Sequence, residues 1–133
     1  MTSTAFLDTN VLIRHLTGDP PGQARRATAF LADAEGPLLV ADLIVAEIVY
    51  VLESVYDVDR SRVADLVRAI LAFPSIAVVQ ESLLLRAVEA YEHARLDFAD
   101  AYLVACAEAT GVDRIVSFDT GLDRAGTVER VEP

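Results

Sequence analysis

Apolar runs of strand length alternate along this chain with stretches of helix length, and that alternation restricts the fold more than any other feature. Residues 4–7, 37–41, 76–79 and 114–118 are short runs rich in leucine, isoleucine, valine and phenylalanine, and 127–131 is a possible fifth. Between the first two runs lie helical patterns at 10–17 and 23–34, separated by the breaker Gly18-Asp19-Pro20-Pro21-Gly22. In the second of these, Ala24, Ala27, Phe30, Leu31 and Ala34 fall on one face. Asp42 is placed to cap a helix reaching about residue 56, and Asp59 or Ser61 opens another that ends near Phe73-Pro74. Two further helices follow at 81–95 and 97–110, the latter closed by Gly111. Strands separated by helix-length crossovers pair in parallel, so the expected fold is an α/β doubly wound parallel sheet flanked by helices, built as one domain over residues 1–133.

Hydrophobic residues make up 53% of the 133, with mean hydropathy +0.37, so a filled core is expected and disorder is excluded. So much apolar surface in so short a chain points to burial against a second copy. The longest uncharged run, residues 69–80, has 12 residues and contains Pro74. A bilayer needs about 18. Met1-Thr2-Ser3-Thr4 has no basic start, and Asp8 interrupts the apolar stretch a signal peptide needs. Cys106 stands alone in an alanine-rich helix and reads as a small core residue. The cytoplasm is the expected compartment.

Four carboxylates have positions that need explaining. Asp8 directly follows the first strand and Asp119 the fourth. In open parallel sheets, sites form beyond the carboxyl ends of strands where the strand order reverses, so these two converge if their strands are neighbours. Glu47 is the only charge in residues 43–52, and Asp100 the only one in 98–107. A lone carboxylate among core-seeking residues is costly unless it is paired or holds a metal. Asp97 fits either an N-cap or a further member of the cluster, being one turn before Asp100. Asp123 reads as a surface residue near the site. Clustered carboxylates without a partnering histidine suit Mg²⁺, or Mn²⁺ in its place, better than zinc. His15 and His93 fit no ligand spacing.

These segments resemble the PIN-domain ribonucleases, and among them the VapC-type toxins of bacterial and archaeal toxin–antitoxin pairs. The resemblance rests on Leu7-Asp8-Thr9-Asn10-Val11-Leu12, on Glu47 in an apolar helix, on Asp97-Phe98-Ala99-Asp100-Ala101-Tyr102-Leu103 and on Ser117-Phe118-Asp119, in that order over the whole chain. It implies strand order 3-2-1-4-5 and Mg²⁺-dependent hydrolysis of RNA. It further implies a site formed by Asp8, Glu47, Asp100 and Asp119, with Asp8 and Asp100 as direct metal ligands. Thr9 and Asn10 match a polar pair that supports the first aspartate. It also implies a homodimer held inactive by a cognate antitoxin.

Net charge is −10, unusual for a protein that meets phosphates. A metal in the acid cluster would restore the local charge, and an antitoxin carrying basic and apolar side chains would suit the remaining surface. All 11 basic residues are arginine. Backbone phosphates would therefore meet arginine or main-chain donors, with Arg14 and Arg124 the first candidates and Arg25-Arg26 beside them. Response-regulator receivers and haloacid-dehalogenase-like phosphatases also place an aspartate after the first strand. Both rely on a lysine, which is missing here, and the phosphatases need a second aspartate where this chain has Asn10. The remaining rival is a catalytically silent PIN-like module that binds RNA or protein.

Overall fold

The computed structural model describes residues 4–133, and the absence of a basic start at residues 1–3 lies outside them. The chain divides into two compact units, Met1–Val79 and Gln80–Pro133.

The first unit is a three-stranded parallel sheet with four helices. β1 (Ala5–Phe6) pairs with β2 (Leu38–Leu39), which pairs with β3 (Ile76–Ala77). The crossovers are α1 (Thr9–Thr17) with α2 (Pro21–Asp33), then α3 (Asp42–Ser54) with α4 (Arg60–Leu71). Gly18 ends α1 at φ 73°, a left-handed conformation that suits glycine, and its N–H closes on the Arg14 carbonyl. Proline occupies the first position of α2, where no helical N–H is needed, so this helix starts two residues earlier than the apolar pattern indicates. Leu12, Leu31, Leu38, Val45, Ile48, Leu52, Val63 and Ile70 are buried at the core. Phe30, expected on the buried face of α2, is exposed instead. Asp42, expected as a cap, is the first helical residue of α3 behind Ala41.

The second unit pairs two long helices and a small sheet. α5 (Glu81–His93) packs on α6 (Phe98–Thr110) through Leu84, Val88, Tyr91, Ala101, Val104 and Ala105, all buried. Tyr91 meets Phe98 edge to face at 6.0 Å. β4 (Arg114–Val116) and β5 (Glu129–Val131) pair in parallel, with a 3-10 segment, Thr120–Ala125, between them.

The α/β class and the parallel pairing agree with expectation, and the halves 3-2-1 and 4-5 of the expected strand order are both present. Hydrogen bonding among the described strands forms two separate sheets, one in each unit. The strands are only two or three residues long, shorter than the apolar runs, although Leu7, Val40 and Ser117 each donate one further hydrogen bond to a neighbouring strand's segment. Among the described residues no helix is long and apolar enough to cross a membrane.

An ion pair fastens the second unit. Arg86 donates from Nε to Glu108 Oε1 at 2.7 Å and from Nη2 to Oε2 at 2.9 Å, a fork-to-fork geometry, and the Thr127 hydroxyl adds a bond to Oε2. Arg86 above all holds the Glu108 carboxyl down at about 2, against an ordinary 4.5. A depressed folded-state value stabilises the fold above pH 4.5 and loses that contribution as pH falls toward 2. Glu108→Gln should cost on the order of 1 kcal/mol at neutral pH, since both side chains are partly solvated. It should also flatten the fall of the thermal midpoint between pH 5 and pH 2.5, and parallel melting curves for the two proteins would refute this.

Candidate active site

In the first unit the end of β1 delivers Asp8 to the start of α1. Asp8 takes the N-cap position and its Oδ1 accepts from the Thr9 N–H at 2.9 Å, so the carboxylate sits at the positive end of the helix. Thr9 is the one buried polar or charged side chain among the described residues. Its hydroxyl donates to Glu47 Oε2 at 2.9 Å. One residue therefore links the two acids: the main chain of Thr9 orients Asp8, and its side chain orients Glu47. Each carboxylate keeps an oxygen outside these bonds. Glu47 is exposed on α3, between exposed Leu43 and Tyr50 at helical spacing, so its apolar neighbours in sequence do not bury it. Asn10 is exposed, and its carbonyl accepts from Arg14 Nη1 at 3.2 Å.

The second unit gathers three acids. Asp97 takes the N-cap position of α6, but its side chain makes no capping bond, so a cap role does not account for it. Asp100 stands half-buried in the first turn. Asp119 follows β4 by three residues and caps the 3-10 segment, its Oδ1 accepting from the Gly121 N–H at 2.8 Å. Its own N–H donates to the Ser117 hydroxyl at 2.9 Å. Burial raises the Asp100 carboxyl above the usual range, a hydrogen bond with Asp119 raises it further, and the charges of Asp119 and Asp97 add to both. Asp123 is exposed and paired with Arg130 at 3.0 Å, in keeping with a surface role.

This donor set is all carboxylate oxygen, and the acids around Asp100 repel one another. That chemistry fits a hard divalent cation, which replaces repulsion with attraction. Among the described residues no three His, Cys, Asp or Glu side chains are grouped closely enough to hold one ion. Neither histidine contributes: His15 bonds Thr28 at 2.8 Å and meets Phe73 edge-on, burial lowers its pKa, and His93 is exposed beside Glu92.

The two arginines singled out in the sequence differ. Arg14 faces a groove of about 550 Å³ between α1 and α2, lined also by Asn10, Gln23, Arg26 and Phe30, and its Nε donates to Gln23. Arg124 donates from Nε to the Ala94 carbonyl at 3.0 Å and from Nη2 to the Arg95 carbonyl at 2.8 Å. Sequence reasoning missed that fork and the place of Gly121. The one available signal was the glycine two residues after Asp119, a spacing that favours a side-chain-capped turn.

Comparison with known proteins adds a family. The model of the PIN domain matches residues 5–128. No curated protein matches. Among solved structures, the chain is similar to Mycobacterium tuberculosis VapC20, described as a Sarcin-Ricin loop cleaving toxin. The two share 22% identity over 98% of this chain and 100% of that one, with a TM-score of 0.45.

Proposed function

The chain belongs to the PIN-domain family, and on that premise we propose that it is a Mg²⁺-dependent endoribonuclease, the toxin of a toxin–antitoxin pair. The observation that carries this reading is Asp100: a half-buried carboxyl hydrogen-bonded to the Asp119 carboxyl, with the charge of Asp97 acting on it as well. Such an arrangement is unfavourable in an empty protein and useful in one that takes a cation. Asp8, Glu47, Asp100 and Asp119 serve the metal in this reading, with Mn²⁺ as a substitute. Bound there, the metal activates a water and neutralises charge on the phosphodiester in the transition state. Asp8 and Asp100 act as ligands, and Thr9 holds Asp8 and Glu47 in place. Arg14, with Arg26 beside it in the groove, is the proposed phosphate contact.

The two units are proposed to work as one domain in the family strand order 3-2-1-4-5. Exposed Leu43 and Tyr50, 78% and 67% accessible, support a homodimer that covers them. An antitoxin with a basic side chain would neutralise the acids and compete with the metal. The reading places the protein in the cytoplasm.

A silent binding module is the second reading, favoured because among the described residues no three His, Cys, Asp or Glu side chains stand close enough to hold one ion. One assay separates the two. Wild-type protein should cleave RNA in Mg²⁺ and stop in chelator, and Asp8→Asn should be inactive while still folded. RNA binding without metal-dependent cleavage would favour the silent module.

A further inference from the structure

Arg124 lies in the last turn of the 3-10 segment. Both carbonyls it engages come from the end of α5: Ala94 is its C-cap, and Arg95 follows with φ 56°, a left-handed backbone unusual for arginine. Helix-end carbonyls lack helical partners and carry partial negative charge, so a forked cation is their natural complement. Two residues beyond Arg95 the chain enters α6 at Asp97, and Asp100 follows in the first turn. At its other end the same 3-10 segment is capped by Asp119.

Gly121 brings these parts close together. A Cβ on it would lie 3.0 Å from Asp119 Oδ1 and 3.3 Å from Arg124 Nη2, tighter than ordinary packing. The bare α-carbon thus lets the carboxylate and the guanidinium approach the same backbone.

We propose that Arg124 is a positioning residue of the acid centre: it ties the segment carrying Asp119 to the turn that delivers Asp97 and Asp100, and so sets the spacing of these carboxylates. The sequence alone suggested a phosphate contact. Two of its donors are instead engaged by main-chain carbonyls in a geometry that only a guanidinium supplies. The proposal rests on the metallonuclease reading.

Lysine separates the alternatives, because it replaces arginine well at a phosphate and poorly at a two-carbonyl fork. Arg124→Lys and Arg124→Met are compared with wild type for Mn²⁺ uptake by the metal-free protein, followed by the paramagnetic resonance of free Mn²⁺. Cleavage against Mn²⁺ concentration and the salt dependence of RNA binding are measured alongside. Both variants should bind Mn²⁺ about tenfold or more weakly, on the scale of residues that orient ligands. Cleavage at saturating Mn²⁺ should return to within a few-fold of wild type, which a general loss of folded protein would not permit. The salt slope should not change. Wild-type Mn²⁺ affinity in Arg124→Lys, or a salt slope reduced by about one in Arg124→Met and kept in Arg124→Lys, would overturn the proposal in favour of phosphate contact. A wild type that takes up no Mn²⁺ would remove the metallonuclease reading and this proposal with it, whereas uptake equal in all three proteins would remove only the role of Arg124.

Discussion

Asp100→Asn should reduce RNA cleavage by about 10²–10³-fold, the scale seen when a group that stabilises transition-state charge is removed. Volume and helix position are kept, so the fold should persist. The same substitution should raise the thermal midpoint of the metal-free protein at neutral pH. Asp100 has a folded-state value above its ordinary one, so the stability it contributes is full below the unfolded value and is lost as pH rises through the folded value. At neutral pH this carboxyl is therefore a net cost to the fold, which asparagine removes. A variant that cleaves like wild type would show that the α6 acid lies outside the chemistry.

Thr9→Val should lower the cleavage rate roughly 10- to 100-fold, as expected for a residue that orients a ligand. Valine keeps the shape of this buried side chain and leaves the main-chain bond to Asp8 intact, but it removes the donor to Glu47. Stability should change by no more than about 1 kcal/mol, because Glu47 is exposed and water replaces the lost bond. Thr9→Ser keeps the hydroxyl and should stay within a few-fold of wild type. Equal activity in all three proteins would mean that the Thr9–Glu47 bond plays no part in cleavage.

Much of the fold was legible because strand and helix periods differ, and the punctuation between them was strong. Gly18, Pro21 and Gly111 act at helix ends as their chemistry requires. In the second unit Leu84, Val88 and Tyr91 are buried within the fold and leave only Leu85 exposed among the large apolar residues of α5, so these residues do not form the self-association patch that the apolar content of the sequence suggests. Strand ends were less legible, since an apolar run continues past the last paired residue, as Ser117-Phe118 does after β4. The 3-10 segment escaped notice because six residues hold too little period to register.

The acids were visible as placements after strands and inside apolar stretches, but the two stretches behave differently. Asp100 is half-buried as its neighbours suggest, whereas Glu47 faces outward with Leu43 and Tyr50, because one face of α3 is left uncovered. Thr9 was legible only through family resemblance, and the structure supplies its mechanism as a two-sided bridge. The role of Arg124 could not be read at all, since its partners are main-chain carbonyls 29 and 30 residues earlier, which leave no trace in side-chain chemistry.

The most direct test of the metal-dependent acid centre is the uptake of Mn²⁺ by the metal-free protein, titrated side by side for wild type, Asp8→Asn and Asp100→Asn. The account predicts saturable uptake by wild type and at least a tenfold loss of affinity in each variant, one in either unit of the chain. Uptake by wild type that neither substitution weakens, or no uptake at all, would contradict it.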